Sequence, residues 1–326
     1  MGVQFNDLIP KEEISFNYLK NKTVAIDSLN IIYQFLSSIR LQDGTPLRNS
    51  KGEITSPYNG IFYKTVYMLE RDITPIWVFD GKPSDLKQKT QKNRKKAKEE
   101  ASTNYINAKL NNNIEDMKKY AKRVNYLEKD TIKNCKELLS LMGIPYIEAI
   151  SEGEGQCAYM VKKGDAFCVV SQDYDALLYG ATNTVRNMTS TNKPMELVEI
   201  NKVLNSLNIS LDDLINIAIL IGTDYNIGGV KGIGPKKALK IVKEKKIEQY
   251  IKHIENYEEI YNIFKNPKIK KYSKNEIKLK KPNIEKLEKF LIDRFDFSHN
   301  RIMPTIKKLD NILNKKRSQT SLDNWF

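Results

Sequence analysis

The sequence predicts an α/β protein organised around a parallel sheet. Three observations carry that expectation. Four short apolar runs recur between residues 22 and 171. Each ends at or just before acidic residues. Amphipathic helical patterns, rather than tight turns, separate them, which reads as βαβ units.

The first run, "KTVAID" (22–27), ends in Asp27 and leads into the helical pattern "SLNIIYQFLSSIR". The second, "PIWVFD" (75–80), ends in Asp80 and "GKP". From there to about residue 124 the chain is helical in propensity, strongly basic at first and poor in large apolar residues, so it should lie outside the core. The third run, "IPYIEA" (144–149), enters "SEGEGQ", with Glu152 and Glu154, and a helix at "GQCAYMVKK". The fourth, "AFCVVS" (166–171), enters "QDYD", with Asp173 and Asp175. From about Leu211 the pattern is mostly helical: "LDDLINIAILIGTD" ends in Asp224, and "GGVKGIGPKKALKIV" (228–242) follows. The Lys-rich "KNPKIKKYSKNEIKLKK" (265–281) reads as an exposed loop or helix end.

Composition narrows the partners. The 326 residues carry 54 basic and 40 acidic side chains, a net charge of +14, which suits a polyanion such as nucleic acid or an acidic membrane surface. Cys135, Cys157 and Cys168 form no CxxC spacing, so neither a zinc site nor a disulfide framework is indicated, and their apolar neighbours read as core in a reducing cytosol. The N-terminus has no signal-peptide pattern and "LINIAILIG" is too short to cross a bilayer. The two histidines, His253 and His299, give little support to a His-based triad or multi-His metal site.

An isolated ExE or DxD is ordinarily a solvated loop or a cap. Here the acids recur at strand ends, the edge where ligands sit in open α/β sheets. Asp27, Asp80, Glu152, Glu154, Asp173, Asp175 and Asp224 are therefore expected to converge, and such a cluster would repel itself unless cations were bound. Hard divalent ions prefer oxygen ligands. Two of them can clamp the attacking and leaving oxygens of a phosphodiester. Around "GGVKGIGPKKALKIV", the Gly-rich turn, Pro235 at a helix start and Lys231, Lys236 and Lys237 suit duplex backbone contact. Basic residues 87–98, including Lys87 and Arg94, follow Asp80 closely and suit phosphate contact. Gln319, Leu322, Trp325 and Phe326 in "QTSLDNWF" form an aromatic-ended tail suited to burial by a partner.

Together, "VAID" through "YQFL", "VFDGKP", "EGEGQCAYM", "SQDYDALLYG", "IGTDYN" and "GIGPKKAL" closely resemble the flap endonuclease-1 family, archaeal type, of the XPG/Rad-like 5′ nuclease superfamily, and the resemblance spans essentially the whole chain. It implies a twisted, mostly parallel sheet flanked by helices (a SAF/PIN-like nuclease core), a helical arch at about 81–125 and a helix–two-turn–helix DNA element. The expected organisation is one nuclease domain, 1–313, and a flexible tail, 314–326.

The implied activity is structure-specific cleavage at the base of 5′ flaps, with 5′-to-3′ exonuclease activity, in Okazaki-fragment maturation and base excision repair. The seven acids match that family's metal-site acids for two Mg²⁺, with Mn²⁺ able to substitute: Asp27, Asp80, Glu152 and Glu154 mainly for one ion, and Asp173, Asp175 and Asp224 mainly for the other. Lys87 and Arg94 match residues contacting the scissile phosphate. Gly2, Tyr33, Arg40, Lys231, Gly232, Gly234, Lys236 and Lys237 fall among the implied DNA contacts, with K⁺ at the glycine-rich turn. The tail resembles a box that docks on the sliding clamp PCNA. A monomer in an archaeal cytoplasm, with no membrane partner, is expected. The spacer from Asp224 to "GIGP" looks one residue longer than in eukaryotic members, and the chain stops at the clamp motif. The competing class is a non-catalytic DNA- or clamp-binding accessory protein of the same fold; loss of any of the seven acids would have favoured it.

Overall fold

The computed structural model describes residues 2–5, 8–87, 100, 103–104, 127, 130–190 and 192–323, excepting the side chains of 317–323. In chain order the strands and α-helices are β1 (Glu12–Ile14), β2 (Thr23–Asp27), α1 (Ser28–Ser38), α2 (Ser56–Leu69), β3 (Thr74–Phe79), α3 (Thr131–Leu141), β4 (Tyr146–Glu148), α4 (Gly153–Lys162), β5 (Cys168–Val170), α5 (Asp175–Leu178), β6 (Asn183–Arg186), β7 (Met195–Glu199), α6 (Ile200–Leu207), α7 (Leu211–Ile221), α8 (Pro235–Lys243), α9 (Glu248–Ile251), α10 (Tyr257–Lys265), α11 (Ile284–Glu288) and α12 (His299–Asp323).

The strands form one sheet in the order β1-β7-β6-β5-β2-β3-β4. The sheet is mixed. Its middle is parallel, with Val24, Ala25 and Ile26 of β2 opposite Cys168, Val169 and Val170 of β5, and β5 parallel to β6. Its edge is antiparallel, through β6–β7 and β1–β7. The four predicted strands are β2, β3, β4 and β5; the antiparallel edge is an addition to them.

The chain divides into two compact units. The first comprises Met1–Asn30, Val78–Lys92 and Glu148–Lys271; the second comprises Ile31–Trp77, Asn93–Ile147 and Tyr272–Phe326. In the first unit the β-branched residues of β2 and β5 fill the pleated surface they favour. Val24, Ile26, Val169 and Val170 are buried there with Leu177, Leu197, Ile215 and Ile219. Helix α7 begins in a capping box: Ser210 Oγ accepts from Asp213 N at 3.1 Å while Asp213 Oδ2 accepts from Ser210 N at 2.9 Å. The Lys-rich 266–281 segment contains no helix or strand. It is anchored where Gln156 donates to the Lys270 carbonyl and accepts from its N–H, at 3.1 and 2.8 Å.

The second unit centres on Tyr58, Phe290 and Phe295, with ring centroids 4.4 Å apart for Tyr58–Phe295 and 4.9 Å for Phe290–Phe295. The Tyr58 hydroxyl is not left unpaired by burial: Asn134 Nδ2 donates to it at 3.0 Å. The backbone of α12 runs on to Asp323. All three cysteines are buried and unpaired by disulfides, as their apolar neighbours predict. No single described helix is long and apolar enough to cross a membrane.

Candidate active site

All seven predicted acids belong to the first unit. Asp27 is the last residue of β2, where the strand delivers it to the sheet's carboxyl edge. Its Oδ1 accepts from Asn30 N at 3.3 Å, and its Oδ2 from Ser171 Oγ at 3.3 Å. Asp80 follows β3 and accepts from Gly153 N at 2.6 Å, at the start of α4. That helix N-terminus favours carboxylates. Glu152 occupies its N-cap position and Glu154 its first turn. Glu154 Oε1 lies 3.1 Å from Ser171 Oγ. Asp173 Oδ2 accepts from Asn30 Nδ2 at 2.9 Å, and Asp175 Oδ1 accepts from Val3 N at 2.7 Å.

Two glycines explain how closely the backbone approaches these acids. A β-carbon on Gly153 would lie 2.6 Å from Asp80 Oδ1. One on Gly2 would lie 2.6 Å from both Asp173 Cβ and Asp175 Oδ1, so the N-terminal segment can reach Asp175 only because residue 2 has no side chain.

Asp224 arrives on a separate structure, the turn after α7. Asn226 Oδ1 accepts from Thr223 N at 3.0 Å, while Asn226 Nδ2 donates to the Ile219 carbonyl at 2.7 Å. Gly222 and Gly229 hold φ of 114° and 53°, and a β-carbon on Gly229 would meet Leu220 O at 2.3 Å. The turn then runs through Gly232, at φ 78°, to Gly234, the N-cap of α8, with Pro235 in its first turn. Lys231, Lys236 and Lys237 are exposed there, and Lys237 Nζ donates to the Gly232 carbonyl at 3.4 Å.

The electrostatics are those of a crowded anionic site. Burial, then the charges of Asp80 and Asp173, pushes Asp27 well above the usual carboxylate range. Burial, then Asp175, Asp27 and Asp173, does the same to Glu154. Burial and Glu152 push Asp80 up to about 6. Burial, with Asp173 and Asp224, pushes Asp175 up to about 7 against the lowering effect of the Val3 N–H. Lys87 is the basic partner: it pairs with Glu152 and lies 3.7 Å from Asp224. Burial works against its charge, but Glu152 and Tyr225 outweigh it and its pKa is raised.

Ser171 exposes an imbalance. Its hydroxyl has one proton, yet Asp27 and Glu154 both lie within 3.3 Å of it, and Asp173 N donates to it. At most one of the two acids receives that proton at a time. The donor set is all oxygen, as a hard divalent ion requires. Among the described residues, no group of three or more His, Cys, Asp or Glu is already gathered in a metal-holding arrangement; the acids rest instead on protein donors.

Asn30 and Ser171 are site residues that residue-type reasoning passes over. Asn30 joins two segments, accepting from Gln172 N at 2.9 Å while donating to Asp173. The available signals are its place three residues after Asp27 and the serine directly before "QDYD". Tyr33 and Arg40 belong to the second unit. There Tyr33 is half-buried on α1, and Arg40 Nη1 donates to the Gly44 carbonyl at 2.6 Å. Arg94 and most of the basic 87–98 run, like Trp325 and Phe326, lie outside the described residues. Gln319 and Leu322 have described backbone only.

Family models match twice, with the XPG N-terminal domain over residues 1–101 and the XPG I-region over residues 143–224. Flap endonuclease 1 of Methanococcus aeolicus is 72% identical over the full length of both chains. The solved flap endonuclease-1 of Methanococcus jannaschii superposes with a TM-score of 0.82 at 57% identity, covering 97% of this chain and 100% of that one. The catalytic core of Rad2, solved in complex with DNA substrate, shares the fold at a TM-score of 0.69 and 23% identity, covering 92% and 96% of the two chains. The sequence blocks, the carboxyl-edge acids and these full-length matches agree: the chain belongs to the flap endonuclease 1 family of XPG nucleases.

Proposed function

We propose that the chain is a structure-specific 5′ flap endonuclease, with 5′-to-3′ exonuclease activity, acting by two-metal-ion catalysis in Okazaki-fragment maturation and base excision repair. The observation that carries the chemistry is the cluster of carboxylates at one sheet edge whose mutual repulsion calls for cations. Asp27, Asp80, Glu152 and Glu154 would mainly hold one Mg²⁺, and Asp173, Asp175 and Asp224 the other, directly or through water; Mn²⁺ would substitute. When bound, the ions supply a water of lowered pKa and neutralise charge at the scissile phosphate.

The protein's own groups do the rest. Asn30, Ser171, Gly153 N and Val3 N orient the acids and limit how far they can swing apart. Lys87, held beside Glu152 and Asp224, can turn its donors to a phosphate oxygen and stabilise charge developing in the transition state. Arg94 serves the same phosphate from the basic segment beyond it. Lys87, its pKa raised by Glu152 and Tyr225, keeps its charge through the neutral range.

Binding and placement follow the exposed basic surface. Lys231, Lys236 and Lys237, with the backbone of Gly232 and Gly234, would grip duplex phosphates, and K⁺ would bind at that turn. Gly2, Tyr33 and Arg40 would contact DNA near the cleavage point, with Tyr33 offering a face for base stacking. Gln319, Leu322, Trp325 and Phe326 would dock on the sliding clamp. The protein would work as a monomer in an archaeal cytoplasm.

Incision of labelled 5′-flap, 3′-flap and unbranched duplex DNA in Mg²⁺ tests this. The expected result is one cut at the 5′-flap base, leaving a nick that a ligase seals. Equal cutting of all three substrates would contradict structure-specific recognition.

A further inference from the structure

The geometry assigns Arg186, which touches none of the acids, as a positioning residue: it clamps the 171–175 loop and thereby sets the divalent-metal affinity of Asp173 and Asp175. The inference rests on the metal-dependent reading above. Strands β5 and β6 are parallel with Val170 opposite Val185, so Arg186, the next residue of β6, emerges beside the loop leaving β5. Strands β6 and β7 are antiparallel with Arg186 directly opposite Glu196. The sheet therefore places a guanidinium between the acid-bearing loop and a carboxylate on its far side.

The guanidinium uses that position in several directions at once. Its Nε donates to the Gln172 carbonyl at 3.0 Å. Its Nη1 donates to the Tyr174 hydroxyl at 2.5 Å and to Glu196 Oε2 at 2.9 Å. Its plane lies over the Tyr174 ring, 4.0 Å from the centroid. Gln172 and Tyr174 are the two neighbours of Asp173, so both sides of that acid are fixed from the back. On the front, Gln172 N and Asp173 Oδ2 are held by Asn30. Tyr174 is buried edge-on against Phe5, on the same N-terminal segment whose Val3 N–H binds Asp175. Glu196 is in turn paired to Lys11 at 2.7 Å.

A lysine could keep the charge pair with Glu196. It could not also supply the planar fork to a carbonyl and a hydroxyl while stacking on a ring. Groups that orient ligands from behind typically change metal affinity 10–100-fold when lost.

The test uses full-length wild type, Arg186→Gln and Arg186→Lys. Three quantities are measured: Mg²⁺ binding by calorimetry together with the Mg²⁺ midpoint for flap incision, flap-DNA Kd in EDTA, and melting in EDTA. The expected result for Arg186→Gln is a Mg²⁺ affinity and midpoint weakened roughly 10–100-fold, with flap Kd within about twofold of wild type and most of the rate recovered at high Mg²⁺. Arg186→Lys should fall between the two, and it carries the test alone if the glutamine variant does not fold. A purely structural role would lower melting without moving the Mg²⁺ midpoint of the folded protein. A folded Arg186→Lys with wild-type Mg²⁺ affinity and midpoint overturns the clamp. Wild type that incises equally in EDTA overturns the metal reading, and the clamp with it.

Discussion

Replacing Asp175 by asparagine should stabilise the metal-free protein at alkaline pH and do little at acid pH. Asp175 is buried and is pushed up to about 7 from an ordinary 3.8. The folded protein therefore holds this proton more tightly than the unfolded chain. Its stability contribution is fully present below about pH 4 and is lost as pH rises through about 7. A difference of about three pH units corresponds to about 4 kcal/mol at most. Asparagine keeps an oxygen for the Val3 N–H but has no charge to develop.

Thermal melting of both proteins in EDTA at pH 5 and pH 8 reads the effect. Comparing the pair cancels the general response of a +14 chain to pH. The variant should melt several degrees above wild type at pH 8, and the gap should shrink at pH 5. Mg²⁺ should reverse the order at pH 8 by stabilising wild type more, because a ligand that binds only the folded state shifts its stability by mass action. A wild type that gains on the variant between pH 5 and 8 in EDTA would refute the reasoning.

Lys87→Ala should lower the incision rate about 10²–10³-fold, by analogy with the loss of one transition-state donor, and leave flap Kd little changed; single-turnover kinetics separate the two. Gly229→Ala should cost about 1–3 kcal/mol in denaturant melts, because φ of 53° and contact with the Leu220 carbonyl oppose a β-carbon. Gly2→Ala should weaken Mg²⁺-dependent incision about tenfold or more in a Mg²⁺ titration, since the new methyl would lie 2.6 Å from Asp173 Cβ and Asp175 Oδ1 and push on both acids. Removing residues 319–326 should abolish stimulation by the sliding clamp and leave unassisted incision intact, checked by adding clamp to both forms.

Much of the sheet was legible because four of its strands are apolar runs that end at or near acids. β2, β3, β4 and β5 announce themselves by Val, Ile and Phe bounded by Asp, Glu and Gly. The edge strands were not. β1, "EEI", has a single buried position, β7, "MELVE", mixes glutamates among its apolar residues, and β6, "NTVR", has only two buried positions. Such segments become strands through pairing, which a local pattern does not encode. The same blindness hid Arg186, whose importance comes from lying opposite Glu196 and beside Gln172 across two strand pairs. The acids were found by residue type and position. Asn30 and Ser171, which hold them, are ordinary helix-start and strand-end residues until the sheet brings them together. The glycines before α8 were readable from sequence alone, since a turn into a proline-started helix demands them.

On the proposed reading, the carboxyl-edge acids bind the metal on which DNA cleavage depends. The most direct test is incision of a labelled double-flap DNA and a matching duplex, in Mg²⁺ and in EDTA, by wild type and by Asp173→Ala shown to melt alike. Mg²⁺-dependent cutting at the flap base by wild type, lost in the variant while flap binding persists, is the predicted result. Tight flap binding by wild type without incision, or full incision by Asp173→Ala, would contradict it.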